Sequence, residues 1–101
     1  MAKPPDIVAR TFQFALRIIE LANQLDDGRG STRVLAKQIL RSGTSIGANI
    51  EEAQAAESRA DFIHKYNIAL KEARETKYWL RLISASHCEK DRLGFSDQGV
   101  G

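Results

Sequence analysis

The stretch LAKQILRSGTSIGANIEEA, from Leu35 to Ala53, decides the fold, because pattern and propensity disagree over it. Leu35, Ile39, Ser42, Ile46, Ile50 and Ala53 recur at spacings of three and four, the period of one helix face. Gly43, Thr44, Ser45, Gly47 and Asn49 lie within the same run and are poor helix formers. The segment is therefore either one continuous helix or two, broken at Ser42-Gly-Thr-Ser45 with a new cap near Ser45. The unbroken period favours one helix. Each interior Gly then costs about 0.5–1 kcal/mol relative to Ala, a cost that close approach of a second helix offsets, so Gly43, Gly47 and Ala48 mark a tight crossing.

Working outward, Ser31 or Thr32 is placed to cap this helix, which spans about 32–57. Upstream, Pro4 and Pro5 suit the entry to a helix over about 6–26. Val8, Phe12, Ala15, Ile19 and Ala22 form one stripe on it, and Phe14, Ile18, Leu21 and Leu25 form another. Two stripes are more than one neighbour needs and imply two packing surfaces. Downstream, Ser58 followed by Asp61 resembles a short capping box that opens a third helix over about 59–87. Phe62, Tyr66, Ala69, Ala73, Thr76, Leu80 and Ile83 make its inner stripe. Residues 89–101 contain three Gly and few apolar anchors and read as an irregular tail. The whole chain, 1–101, reads as a single all-α domain.

With 101 residues, 43% hydrophobic and 28% charged, the chain has enough apolar surface for one modest core and too little length for a two-domain enzyme. No run approaches the ~20 apolar residues of a membrane span. A lone Cys88 makes no intrachain disulfide and no signal-peptide core is visible at the start, which points to a reducing cytoplasmic setting.

The formal charge of +2 is too small to identify a nucleic-acid ligand by itself, so the argument rests on distribution. Arg29, Arg33, Lys37 and Arg41 are spaced by four, with no acid between Gly28 and Ile50. Lys71, Arg74, Lys77 and Arg81 extend the basic set, diluted by Glu72 and Glu75. Such cations suit phosphates of RNA or DNA, while a solvated helix face with ion pairs across the bundle, or subunit pairing, accounts for the same residues. Neither a G-x-S-x-G elbow nor a phosphate-binding loop is present. His87 and Cys88 are adjacent, hence about 100° apart on a helix, and Glu52 with His64 matches no metal motif. No catalytic residue, metal or cofactor is therefore expected. Tyr66 reads as core, and Tyr78 and Trp79 as base-stacking or interface residues.

The words Arg41-Ser-Gly-Thr-Ser-Ile-Gly-Ala-Asn-Ile-Glu-Glu-Ala53, Asp61-Phe-Ile-His-Lys65 and Ile68-Ala-Leu-Lys-Glu-Ala-Arg-Glu-Thr-Lys-Tyr-Trp-Leu80 resemble the bacterial four-helix-bundle family of 23S rRNA-intervening sequence proteins. The likeness covers about residues 6–88. It implies an up-and-down antiparallel bundle assembled as a homopentamer and a binding role without known enzymatic activity. The accessory protein of diversity-generating retroelements is similar in architecture, with a basic surface linked to nucleic acid and a protein partner. Arg41, Ser42, Thr44, Ser45, Asn49, Glu52, Glu72, Glu75, Thr76 and Trp79 fall within the matching words, together with Gly43 and Gly47, and most are expected at structural or interface positions.

The likeness ends near Glu89, where the family's fourth helix closes the bundle. The expectation is a four-helix-type bundle with that helix missing or degenerate, its vacant side covered by the tail, another subunit or another chain. Two functions remain: an oligomer that binds RNA or DNA through its basic surface, and a structural or protein-interaction adaptor.

Overall fold

The structure, a computed structural model, describes residues 6–26 and 30–92. They form an all-α, up-and-down bundle of three helices, α1 (Ile7–Asp26), α2 (Ser31–Gln54) and α3 (Arg59–Arg92). α2 is the central element: α1 and α3 each pack along it and make no backbone approach to one another. Among the described residues there is no fourth helix.

Local chemistry sets the helix ends. Asp6 caps α1, its carboxylate accepting the Val8 N–H at 3.0 Å. Ser58 caps α3 in the same way, its Oγ accepting the Asp61 N–H at 3.0 Å. α2 departs from the expected cap: Gly30, not Ser31 or Thr32, occupies that position, with φ 59° and ψ −119° and no side-chain cap bond. That backbone conformation is open chiefly to glycine, so Ser31 already lies in the first turn. α2 ends at Gln54, short of the expected 57, because Ala55 to Glu57 make the reversal that precedes the Ser58 cap.

α3 runs past its expected end at 87, and residues 89–92, read as the start of an irregular tail, are helical. Once a helix is nucleated each further residue adds one backbone hydrogen bond without needing an apolar stripe, and Glu89, Lys90 and Arg92 are good helix formers. The rest of the expected tail, 93–101, lies outside the described residues.

The run through Ser42-Gly-Thr-Ser45 is one unbroken helix. Its polar side chains bond back to their own helix: Thr44 Oγ1 donates to the Leu40 carbonyl at 2.7 Å, Ser45 Oγ to Arg41 at 2.8 Å and Asn49 Nδ2 to Ser45 at 2.9 Å. The glycines face α1. A Cβ on Gly43 would stand 2.8 Å from Ile18 Cγ2, and one on Gly47 would stand 3.3 Å from the Thr11 carbonyl oxygen.

This close crossing lets Ile18, Ala22 and Leu25 of α1, Ala36 and Ile39 of α2 and Ile83 of α3 form one buried cluster, flanked by Phe14, Leu21, Leu35, Trp79 and Leu80. Ile39, wholly buried at the centre, contributes about 1.5–3 kcal/mol by its removal from water. Tyr66, read as core, is half-buried and stacks on Phe62 with ring centroids 4.7 Å apart. Of the two α1 stripes, the one through Ile18 turns inward, joined by Ala22. Phe12, Leu16 and Ile19 stay exposed, Phe12 by 53%.

Candidate functional site

The residues of the Arg41–Ala53 word meet those of the 68–80 word across the α2–α3 contact. Ser42 and Thr76 are both buried, with their hydroxyls 2.9 Å apart, and Thr76 Oγ1 also lies 2.8 Å from the Glu72 carbonyl oxygen. Each hydroxyl has one proton; the arrangement that satisfies both contacts has Ser42 donating to Thr76 and Thr76 donating to Glu72. One turn away, the Arg41 guanidinium bonds to the Glu75 carboxylate and stands 3.5 Å from Glu72 Oε1. Trp79 Nε1–H donates to the same Glu75 oxygen at 3.0 Å. Glu72 Oε1 has no hydrogen bond of its own, so the nearby guanidinium is what balances its charge.

This clasp fixes the register of α2 on α3. Replacing Thr76 by Val strands the buried Ser42 hydroxyl and is expected to cost about 1–3 kcal/mol. Adding Ser42→Ala removes the stranded group, so the double variant should recover about 1 kcal/mol relative to additivity. Urea unfolding of the four proteins measures this; strict additivity would show that the two hydroxyls are independent.

The clasp also redistributes the candidate basic surface. Arg41 pairs with Glu72 and Glu75 while half its side chain stays exposed, Arg33 has an interaction within the protein, and Arg29 lies outside the described residues. Lys37 is exposed. So are Lys71, Arg74, Lys77 and Arg81, and no carboxylate lies within ion-pair distance of them among the described residues. Arg74, Lys77 and Arg81 follow at spacings of three and four and share one side of α3.

Glu52 pairs with Lys65 rather than His64, Lys65 Nζ donating to Glu52 Oε1 at 2.6 Å. This hydrogen bond, with the charge of Glu52, raises the Lys65 pKa above its ordinary value. Among the described residues no three His, Cys, Asp or Glu side chains gather as metal ligands, and no helix is long and apolar enough to cross a membrane.

A further feature adjoins the clasp, since Ile46 lies four residues from Ser42 on α2 and Ala73 three residues from Thr76 on α3. Because the backbones of α1 and α3 stay apart among the described residues, a groove of about 620 Å³ opens between them, lined by Ile7, Arg10, Phe14 and Arg17 of α1, Ile46 of α2 and Ala73 of α3, among others. The available sequence signal was the seven-residue spacing of Arg10 and Arg17, two helical turns, beside Phe14.

Comparison with known proteins places these features in a family. A protein-family model described as 23S rRNA-intervening sequence protein matches residues 4–92. A solved structure from Bacteroides thetaiotaomicron, a protein of unknown function from the S23 ribosomal protein family, is 53% identical, with a TM-score of 0.74 over 80% of this chain and 74% of that one. No curated protein matches.

Proposed function

Since the chain belongs to the 23S rRNA-intervening sequence protein family, we propose that it is a non-catalytic, self-associating helical module that holds a basic surface against RNA or DNA. The observation that carries the reading is the exposed set Lys71, Arg74, Lys77 and Arg81, joined by Lys37, without carboxylate partners among the described residues. Cations held apart from internal acids are free to replace the counterions of a phosphate backbone. Self-association multiplies a short patch into an extended one, and linked weak contacts raise the effective affinity. The exposed Phe12, Leu16 and Ile19 of α1 and Ile63 and Leu70 of α3 supply apolar surface for such assembly, a homopentamer in this reading. The setting is the reducing cytoplasm, in keeping with the lone Cys88.

The test is single-stranded oligonucleotide binding across a salt series. Changing Lys71, Arg74, Lys77 and Arg81 to Gln should weaken low-salt binding at least about tenfold and flatten the slope of log K against log[salt] by about 0.7 per lost phosphate contact. Equal affinity and slope for both proteins would contradict the reading. A second reading, a protein-interaction module, is supported by the open groove between α1 and α3.

A further inference from the structure

The basic side of α3 carries an exposed aromatic ring, and we infer that Tyr78 stacks on an unpaired base of single-stranded RNA or DNA while Lys71, Arg74 and Arg81 hold the phosphates beside it. The inference deepens the nucleic-acid reading and rests on it.

Lys71, Arg74, Tyr78 and Arg81 follow at spacings of three, four and three, so they share one outward line along α3. Arg74 stands about 6 Å from Tyr78 along the axis and Arg81 about 4.5 Å on the other side, at 1.5 Å per residue. All four are exposed, Tyr78 by 51%. Glu72 and Glu75, the carboxylates of the same stretch, engage Arg41 of α2 instead. The line therefore presents one sign of charge with an aromatic ring among the cations.

The two adjacent aromatic residues have different surroundings. Trp79 is half-buried, packs against the core cluster and donates its Nε1–H to Glu75 at 3.0 Å. Its ring and that of Tyr78 meet edge to face, with centroids 5.4 Å apart and planes at 62°. Such a contact covers at most one face of a ring, and Tyr78 keeps half its surface in solvent. Trp79, anchored through Glu75, thus supports Tyr78 among the cations. Every base has a π-face, so stacking on tyrosine tolerates any sequence and adds to the phosphate contacts. In a duplex neighbouring base pairs cover those faces, so the ring contributes only where the strand is unpaired. The line from Lys71 to Arg81 spans about 15 Å, the length of about four stacked nucleotides at roughly 3.4 Å each along one strand.

The probes are three fluorescein-labelled strands of equal charge and about 12 nucleotides: oligo-dT, oligo-rU and an abasic strand that keeps its phosphates but has no bases. Anisotropy titrations at low salt and across a salt series use the full chain, Tyr78→Phe and Tyr78→Leu, with helix content followed by circular dichroism and mass by light scattering. The wild type should bind oligo-dT or oligo-rU at least about fivefold more tightly than the abasic strand, and the tighter of the two names the nucleic acid. Tyr78→Leu should abolish that preference and leave the salt slope unchanged, because no phosphate contact is lost. Tyr78→Phe, which keeps the ring, should retain it. If the wild type binds strands with and without bases equally, or Tyr78→Leu keeps the preference, the inference is overturned while the phosphate-binding reading stands. If no strand binds at low salt, both fail. A fall in mass for Tyr78→Leu, with equal weakening toward all three strands, would assign Tyr78 to a contact between subunits and overturn the inference.

Discussion

Ile39→Ala should lower the unfolding free energy by about 3 kcal/mol, within the 2–5 kcal/mol found when a buried Ile or Leu is truncated to Ala. Ile39 has no exposed surface and belongs to the cluster that joins α1, α2 and α3. Because α1 and α3 both pack along α2, a cavity there weakens two helix contacts at once. For a domain of this size the loss corresponds to a fall in Tm of about 12–24 °C. Val34→Ala is the control: Val34 lies on the same helix, is 57% exposed, and its truncation should stay within about 0.5 kcal/mol. Denaturation at a fixed protein concentration compares the two, since the proposed assembly would make apparent stability depend on concentration. Similar losses for both variants would contradict the central position of α2.

Gly43→Leu should be as damaging, through the opposite mechanism. A Cβ at this position stands 2.8 and 2.9 Å from Ile18 Cγ2 and Cγ1. Those atoms sit one bond from a branched Cβ that rotates little in a helix, so relief requires moving α1 away from α2. Overpacking of this kind costs about 1–3 kcal/mol and at times more, against a gain of about 1 kcal/mol in helix propensity over Gly. The upper end is expected, because Leu adds three further carbons to the clash. Gly47→Ala should be milder, since its Cβ would meet Thr11 at 3.3 Å. Ile18→Ala removes the clashing atoms and should partly rescue Gly43→Leu, giving a coupling of at least about 1 kcal/mol in a double-variant cycle by urea unfolding. Additive losses would show that the two residues do not meet.

Features of short range were legible in the sequence. The Ser58 cap needs only the Asp61 amide three residues on, and the period from Leu35 to Ala53 outweighed the local preferences of Gly, Ser and Thr. Those residues are compatible with helix here because their hydroxyls bond to carbonyls one turn back and because the glycines admit α1. The Gly30 cap was harder to read: its positive φ follows from how the chain enters α2, whereas Ser31 and Thr32 had the usual capping side chains.

The candidate site was less legible because its chemistry is long-range. Arg33, Lys37 and Arg41 have the spacing of a phosphate-binding stripe, yet the residues that engage Arg41 lie 31 and 34 positions downstream, at Glu72 and Glu75. Glu72 and Glu75 looked like diluents of a second basic patch, and the fold makes them partners of the first. The two stripes on α1 correctly announced more apolar surface than one neighbour uses. Which stripe would remain uncovered depended on where Gly43 and Gly47 dock.

That uncovered stripe bears on the central claim, that the subunit completes its buried surface by assembly, and light scattering in solution tests it most directly. The chain has a mass of 11.2 kDa, and the native protein should scatter as a defined oligomer of about five copies that collapses toward the single-chain mass when Phe12 and Ile19 are both changed to Glu. A single-chain mass for the unaltered protein at micromolar concentration would contradict the account.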